Sequence, residues 1–376
     1  MTDATQTTAP SPAAERSGAD PASTNGTMRA VVLQEPGRIT IEDVPRPGKP
    51  GSGEVRIAMH TVGICGSDVH YFTHGAIGDF VLEAPMVLGH EGSGTVISVG
   101  EGVEHLAPGD RVCMEPGIPD ARSRAAREGM YNVDPAVRFW ATPPYDGCLA
   151  EEVVHPAEYT YALPDSLSFA EGALIEPFAV GMQAATKARL RPGDIAAVVG
   201  CGTIGIMTAI AALNGGASRV YVSDLAPEKL ALIDGISGLI PVNASREDLG
   251  ERVRQDTGGW GPQAVFEASG AAGSYESIWD VPAPGGVLVV VGMPARPVSF
   301  DTTKAQVREL RIETVFRYAN VYQKAVDLAA GEGVDLGRFV TQTFPVSDAV
   351  AVFERGAQGR PTDIKLQLTF ADVAAG

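Results

Sequence analysis

The chain is 376 residues long, 44% hydrophobic and 20% charged, with a formal net charge of −17. That profile fits a globular, water-soluble protein large enough for two domains, and its acidity argues against nucleic acid or anionic membrane as a partner. No apolar run approaches the roughly 18 residues that suggest a transmembrane helix.

Residues 1–27 are rich in Thr, Ala, Pro, Ser and Gly and lack the basic and apolar regions of a secretory signal. They are expected to be a disordered tail. The folded chain is expected to begin near Met28, which is also an alternative start, with the strand Met28-Arg29-Ala30-Val31-Val32-Leu33. Short β runs punctuated by Gly and Pro follow, such as Ile39-Thr40-Ile41 and Glu54 to Met59. They predict a β-rich, partly barrel-like domain over 28–178.

Within that domain Cys65 stands in Gly63-Ile64-Cys65-Gly66-Ser67-Asp68-Val69-His70, and His90-Glu91 follow Leu88-Gly89. Thiol, imidazole and carboxylate are zinc-type donors. Taken alone, Cys65 reads equally well as a buried core thiol. The other cysteines, Cys113, Cys148 and Cys201, show no C-x-x-C spacing and no disulfide framework, which points to a reducing, cytoplasmic setting.

The texture changes near Arg191. The apolar strand Ile195–Val199 runs into Gly200-Cys201-Gly202-Thr203-Ile204-Gly205, an apolar helix spans 206–213, and the next strand ends at Asp224, 19 residues past the last glycine. Strand, glycine fingerprint, helix and distal acid together predict a dinucleotide site. Gly200 makes the turn, Gly202 admits the pyrophosphate at the helix N-terminus, and Gly205 permits close helix–strand packing. Asp224 accepts bonds from the ribose hydroxyls and repels a 2′-phosphate, so NAD is expected over NADP; Lys229, swung toward the ribose, would weaken that preference. Further strands at 264–268 and 287–291 complete a doubly wound parallel sheet, the Rossmann domain, over 179–317. Residues 318–376 hold a helix and two strand-like runs, expected to return to the first domain.

These motifs, with Gly109-Asp110-Arg111-Val112, Ala141-Thr142-Pro143-Pro144, Glu176-Pro177-Phe178 and Phe316-Arg317-Tyr318-Ala319-Asn320, resemble the zinc-dependent medium-chain dehydrogenase/reductase superfamily. The resemblance runs from Met28 to Leu368 and is to its polyol dehydrogenase branch, of the sorbitol and xylitol type. It implies an α/β fold with a chaperonin-10-like catalytic domain, and catalytic zinc on Cys65, His90 and Glu91, with water or Glu176 at a changing fourth position. It implies Asp68 behind His90, polyol contacts from Tyr71, Phe139, Glu176, Arg317 and Tyr318, and cofactor contacts from Val291, Gly292, Met293, Phe316 and Arg317 besides the fingerprint. Taken alone, Arg317 reads as an ordinary surface arginine. It further implies proton release through Glu176 and metal-bound water, or through Ser67 and His70, and a homotetramer. Many members hold a structural zinc on four cysteines, whose positions here are Asp120, Ser123, Ala126 and Asp134, so one zinc per chain is expected and not two. The implied reaction is oxidation of a secondary hydroxyl of a sugar alcohol, xylitol to D-xylulose first, with sorbitol or another pentitol or hexitol as the alternative. A zinc-free quinone or enoyl reductase and a non-enzymatic NAD-binding protein are the contrasting readings; intact Cys65, His90, Glu91 and Glu176 weigh against the first.

Overall fold

The computed structural model describes residues 26–370; the expected tail lies almost wholly outside them. Strands Thr27–Glu35 and Arg38–Pro45 pair antiparallel at the start. A seven-stranded sheet follows, built around Glu54–Gly63, which pairs with Glu91–Val99 along one side and with Glu152–Pro156 and Lys365–Thr369 along the other. The alternation of buried residues along Glu54–Gly63 (Val55, Ile57, Met59) matches the two-residue period of a strand with one face in the core.

The second sheet has six parallel strands in the spatial order Leu239–Asn243, Arg219–Asp224, Ile195–Val199, Ala264–Glu267, Val287–Val290, Arg311–Thr314. Connections leave Ile195–Val199 to one side and later return to its other side at Ala264–Glu267. The crevice outside the strands' C-terminal ends at that switch point is where a dinucleotide binds in such sheets. The helix expected over 206–213 spans Thr203–Asn214, because Gly202 acts as its N-cap in extended conformation and the turn begins at once.

Helix Phe169–Ala188 joins the two halves. Ser168 and Glu171 form its capping box, and Arg189 closes it in left-handed conformation at φ 56. It packs on both Thr203–Asn214 and Glu91–Val99. Leu174, Ile175 and Phe178 are fully buried, each stabilising the fold by about 1.5–3 kcal/mol. At Gly181 a Cβ would lie 2.5 Å from the Met207 backbone, so only glycine lets the two helices cross this closely. The helix runs unbroken through residue 178, and it carries Glu176 into the space between the sheets. Of the last segment, strands Val340–Pro345 and Lys365–Thr369 join the first sheet, and helix Tyr322–Ala329 packs on the joining helix and on strand Thr160–Ala162 of the first sheet, with the Tyr322 hydroxyl donating to the Met114 carbonyl at 2.7 Å; its buried cluster draws on both halves, Leu163 and Leu167 as well as Val198 and Ile206.

Candidate active site

Cys65 is the N-cap of helix Gly66–His74. Asp68, three residues on, accepts the Cys65 backbone N–H at 3.0 Å with one oxygen and the Gly89 N–H at 3.1 Å with the other. One buried carboxylate thus holds both chain segments that bring ligands. Gly89 sits at φ +87, where a Cβ would meet Leu149 at 2.7 Å and Val62 at 2.9 Å; this places the following His90 at the mouth of strand Glu91–Val99. Gly63 faces Glu91 across the ladder, and a Cβ there would lie 2.1 Å from Glu91 Oε2.

The outcome is that donor atoms of Cys65, His90 and Glu91 all lie within 4.8 Å of one another. His90 and Glu91 are 6% and 1% exposed. His90 Nδ1 points to Asp68 Oδ1 at 3.6 Å and has no closer partner, which leaves Nε2 for an ion. Burial opposes charge on His90, but Asp68 and Cys65 outweigh it and raise its pKa well above the ordinary value, so a metal entering here displaces a proton. A sulfur, a nitrogen and an oxygen in a buried cluster, with a carboxylate behind the imidazole, fit zinc with an open fourth position.

Glu176 stands outside this triad. It is 5% exposed, and its Oε1 accepts the Tyr318 hydroxyl at 2.8 Å. Burial, with the Glu91 charge adding to it, raises its pKa to about 7. Arg317 takes φ 55, lays its guanidinium 3.7 Å over the Phe139 ring and donates to Thr142 Oγ1 at 3.3 Å. Burial lowers its pKa to about 10, which keeps it charged at neutral pH. Tyr71 is 2% exposed within the first core. Ser67 and His70 lie on the helix that Cys65 caps; no hydrogen bond joins them, and the His70 ring stacks on His74 at 4.4 Å.

Lys365 was not legible as a site residue. It is 2% exposed, and its ammonium donates to both Glu91 oxygens at 2.7 Å and to the Ile64 carbonyl at 3.2 Å. Burial opposes its charge, but Glu91 and Cys65 outweigh that and raise its pKa. The available signal was a lysine opening the buried strand Lys365–Thr369, where a buried charge demands a partner; the partner lies 274 residues away.

Residues 51–165 match the family described as alcohol dehydrogenase GroES-like domain, and residues 203–331 match zinc-binding dehydrogenase. A D-xylulose reductase of Morganella morganii is 50% identical over 88% of this chain and 98% of its own length. The chain belongs to the zinc-binding dehydrogenase family. Sorbitol dehydrogenase of Rattus norvegicus is 42% identical over 89% of this chain and 94% of its own. An Escherichia coli oxidoreductase of unknown specificity superposes with a TM-score of 0.87 at 36% identity, covering 91% of this chain and 99% of its own. Zinc-binding dehydrogenases are oxidoreductases that work with a nicotinamide cofactor, and the second half of this one is built for it. Gly200 is at φ +100 against Ser269, and a Cβ at Gly205 would lie 1.8 Å from the Gly200 carbonyl oxygen. At Gly202 a Cβ would meet nothing within 4 Å, so the helix N-terminus opens onto free space. Asp224 accepts the Cys201 N–H at 2.8 Å and the Ala226 N–H at 2.9 Å, which fixes its carboxylate beside the glycine turn. The Thr203 hydroxyl donates instead to the Ile364 carbonyl at 2.7 Å, tying this helix to the first sheet. Half-buried Ile204 follows it. Lys229 contributes its carbonyl to the Cys201 thiol at 3.5 Å. Val291 and Gly292 bond by their N–H groups to the Glu267 carbonyl, and Met293 beyond them is 63% exposed at the strand ends. The Phe316 ring lies under Arg317 at 4.7 Å.

The lobe of the zinc-binding dehydrogenase that matches a structural zinc site holds none of its ligands. Asp134 accepts the Asp120 N–H at 3.2 Å and the Ala136 N–H at 3.0 Å, and Ser123 Oγ accepts the Ala126 N–H at 3.0 Å. These residues do not fit a second tetrahedral zinc; they close the loop by hydrogen bonds.

Proposed function

We propose that the protein is a zinc- and NAD-dependent polyol dehydrogenase that oxidises a secondary hydroxyl of a sugar alcohol to a ketose, with xylitol and D-xylulose as the best pair. The observation that carries the reading is the pairing of an S, N, O donor cluster with a polar wall, Glu176, Arg317 and Tyr318, where a hydrophobic wall would suffice for a simple alcohol. The names of the Morganella morganii and rat relatives point the same way. Sorbitol or another pentitol or hexitol is the alternative substrate.

Zinc held by Cys65, His90 and Glu91 would supply Lewis acidity toward the reacting oxygen, and NAD would accept the hydride. The chain's own groups do the rest. Glu176, with a pKa near 7, suits removal of the hydroxyl proton, directly or through water. Tyr318 orients it through the bond to Oε1. Arg317 offers fixed donors to the remaining hydroxyls of a long substrate. The reading includes one zinc per chain, supported by the Asp134-closed lobe, and preference for NAD over NADP, supported by the fixed Asp224. It also includes a cytoplasmic homotetramer, supported by four free cysteines and by apolar Ile312 exposed on the edge strand of the six-stranded sheet and Val307 exposed on the helix before it.

The test is a polyol panel with NAD, read by NADH absorbance. Turnover of xylitol well above that of simple secondary alcohols supports the reading. Equal turnover of 2-butanol and xylitol, or none with any polyol, overturns it.

A further inference from the structure

We infer that the lobe around residues 120–137 has become a clamp on the polyol-contacting segment, with Asn132 as a positioning residue. The inference rests on the polyol reading above. Residues 316–320 leave the last strand of the cofactor sheet without a ladder partner, and two of them, Arg317 at φ 55 and Asn320 at φ 59, take the left-handed conformation. Asparagine tolerates that region, but an arginine rarely adopts it unless the surroundings enforce it.

The enforcing contacts come from the lobe. Asn132, 9% exposed, donates from Nδ2 to the Phe316 carbonyl at 2.7 Å. That carbonyl belongs to the peptide plane from which Arg317 rotates, so fixing it fixes the direction of Arg317. At the other end Asn320 donates its N–H to the Tyr131 hydroxyl at 2.9 Å and its Nδ2 to the Gly129 carbonyl at 2.8 Å. The Tyr131 hydroxyl is itself anchored, donating to Glu115 at 2.7 Å. Three hydrogen bonds from one loop thus bracket Arg317 and Tyr318. Between those clamps, Arg317 lies over Phe139 and Tyr318 bonds Glu176. The hydrogen bonds of Asp134 and Ser123 make the loop a closed unit without metal ligands, so it keeps a fixed surface for this purpose.

A clamp that works through hydrogen bonding needs the donor of Asn132, not its bulk. The test compares Asn132→Ala and Asn132→Asp, which keeps the shape and loses the Nδ2 donor, with Arg317→Ala and wild type. Steady-state kinetics on xylitol and on 2-butanol are read beside zinc content and the Kd for NADH. Both Asn132 variants are expected to lower kcat/KM for xylitol about tenfold, chiefly through KM, as loss of one such hydrogen bond implies. Their 2-butanol turnover, zinc content and NADH affinity should stay near wild type. If Arg317→Ala loses xylitol activity and the Asn132 variants do not, the clamp is wrong while the polyol reading stands. If Arg317→Ala leaves xylitol untouched, the polyol reading itself fails. If Asn132→Asp matches wild type, or if either Asn132 variant loses zinc or both substrates alike, Asn132 fills space or supports the fold and is not a positioning residue.

Discussion

Replacing Glu115 with glutamine should change how stability depends on pH, and by a calculable amount. Glu115 is 1% exposed and accepts hydrogen bonds from Tyr131 at 2.7 Å and Tyr161 at 3.0 Å. Among the described residues no cation pairs with it. Burial raises its pKa to about 7. The folded value thus lies above the unfolded one, near 4.5. The stabilisation tied to its proton is therefore complete below pH 4.5 or so and lost as pH rises through about 7. The whole shift corresponds to about 3 kcal/mol, of which about 2 kcal/mol falls between pH ~5 and pH ~7.5. His155, fully buried with Nε2 bonded to the Glu115 carbonyl at 3.0 Å, acts in the opposite sense. Burial lowers its pKa to about 4, so its contribution is present above about pH 6.5 and lost as pH falls through about 4, also with about 2 kcal/mol in the same interval. In wild type the two slopes oppose each other. Glu115→Gln removes one of them, so from pH ~5 to pH ~7.5 the variant should gain about 2 kcal/mol relative to wild type. Urea denaturation of both proteins at the two pH values measures it. Curves that move in parallel would refute the reasoning, because Glu115 would then be ionised throughout or hydrated in the fold.

Arg317→Ala should lower kcat/KM for xylitol by roughly ten- to a hundredfold, as loss of one or two hydrogen bonds implies, with the slow turnover of 2-butanol little changed; equal losses on both substrates would make the residue structural. Wild type should prefer NAD over NADP by at least about tenfold, a difference of about 1.4 kcal/mol, and Asp224→Ala should narrow that ratio of kcat/KM values; an unchanged ratio would remove Asp224 from ribose recognition. Lys365→Met leaves the Glu91 carboxylate buried without its cation, which costs about 3–5 kcal/mol when no metal is bound. Chelated variant should therefore unfold at markedly lower urea than chelated wild type, and added zinc should restore most of the loss; equal midpoints after chelation would mean that Lys365 carries no such role.

Elements that a short stretch encodes were readable from the chain. The strand, glycine turn, helix and distal acid at 195–224 obey local rules of turn geometry and periodicity, and the structure has strand Ile195–Val199, helix Thr203–Asn214 and strand Arg219–Asp224 in that order. Cys65, His90 and Glu91 were readable because their chemistry limits what they can do together and because the motifs around them resemble a family. What stayed hidden is set by contacts between distant segments. Nothing near Lys365 names Glu91, which is brought to it only when strand Lys365–Thr369 pairs with Glu54–Gly63. Asn132 lies 184 residues from Phe316 and reads locally as an ordinary turn residue. Arg317 gave no hint of its left-handed backbone, since that conformation is imposed from outside its own segment. Residues 318–376 are too short for a domain of their own, which points them back to the first one; that helix Tyr322–Ala329 packs in a cluster shared by both halves, on Phe169–Ala188 and Thr160–Ala162, is set by distant contacts that no local pattern names.

The most direct test of the account is a zinc titration of the metal-free protein, followed by NADH formation from xylitol and NAD. Activity should rise linearly and stop rising at about one zinc per chain, as one S, N, O cluster and one closed lobe require, and Cys65→Ala should show no such rise. Turnover of xylitol before any zinc is added, or a break at about two per chain, would contradict it.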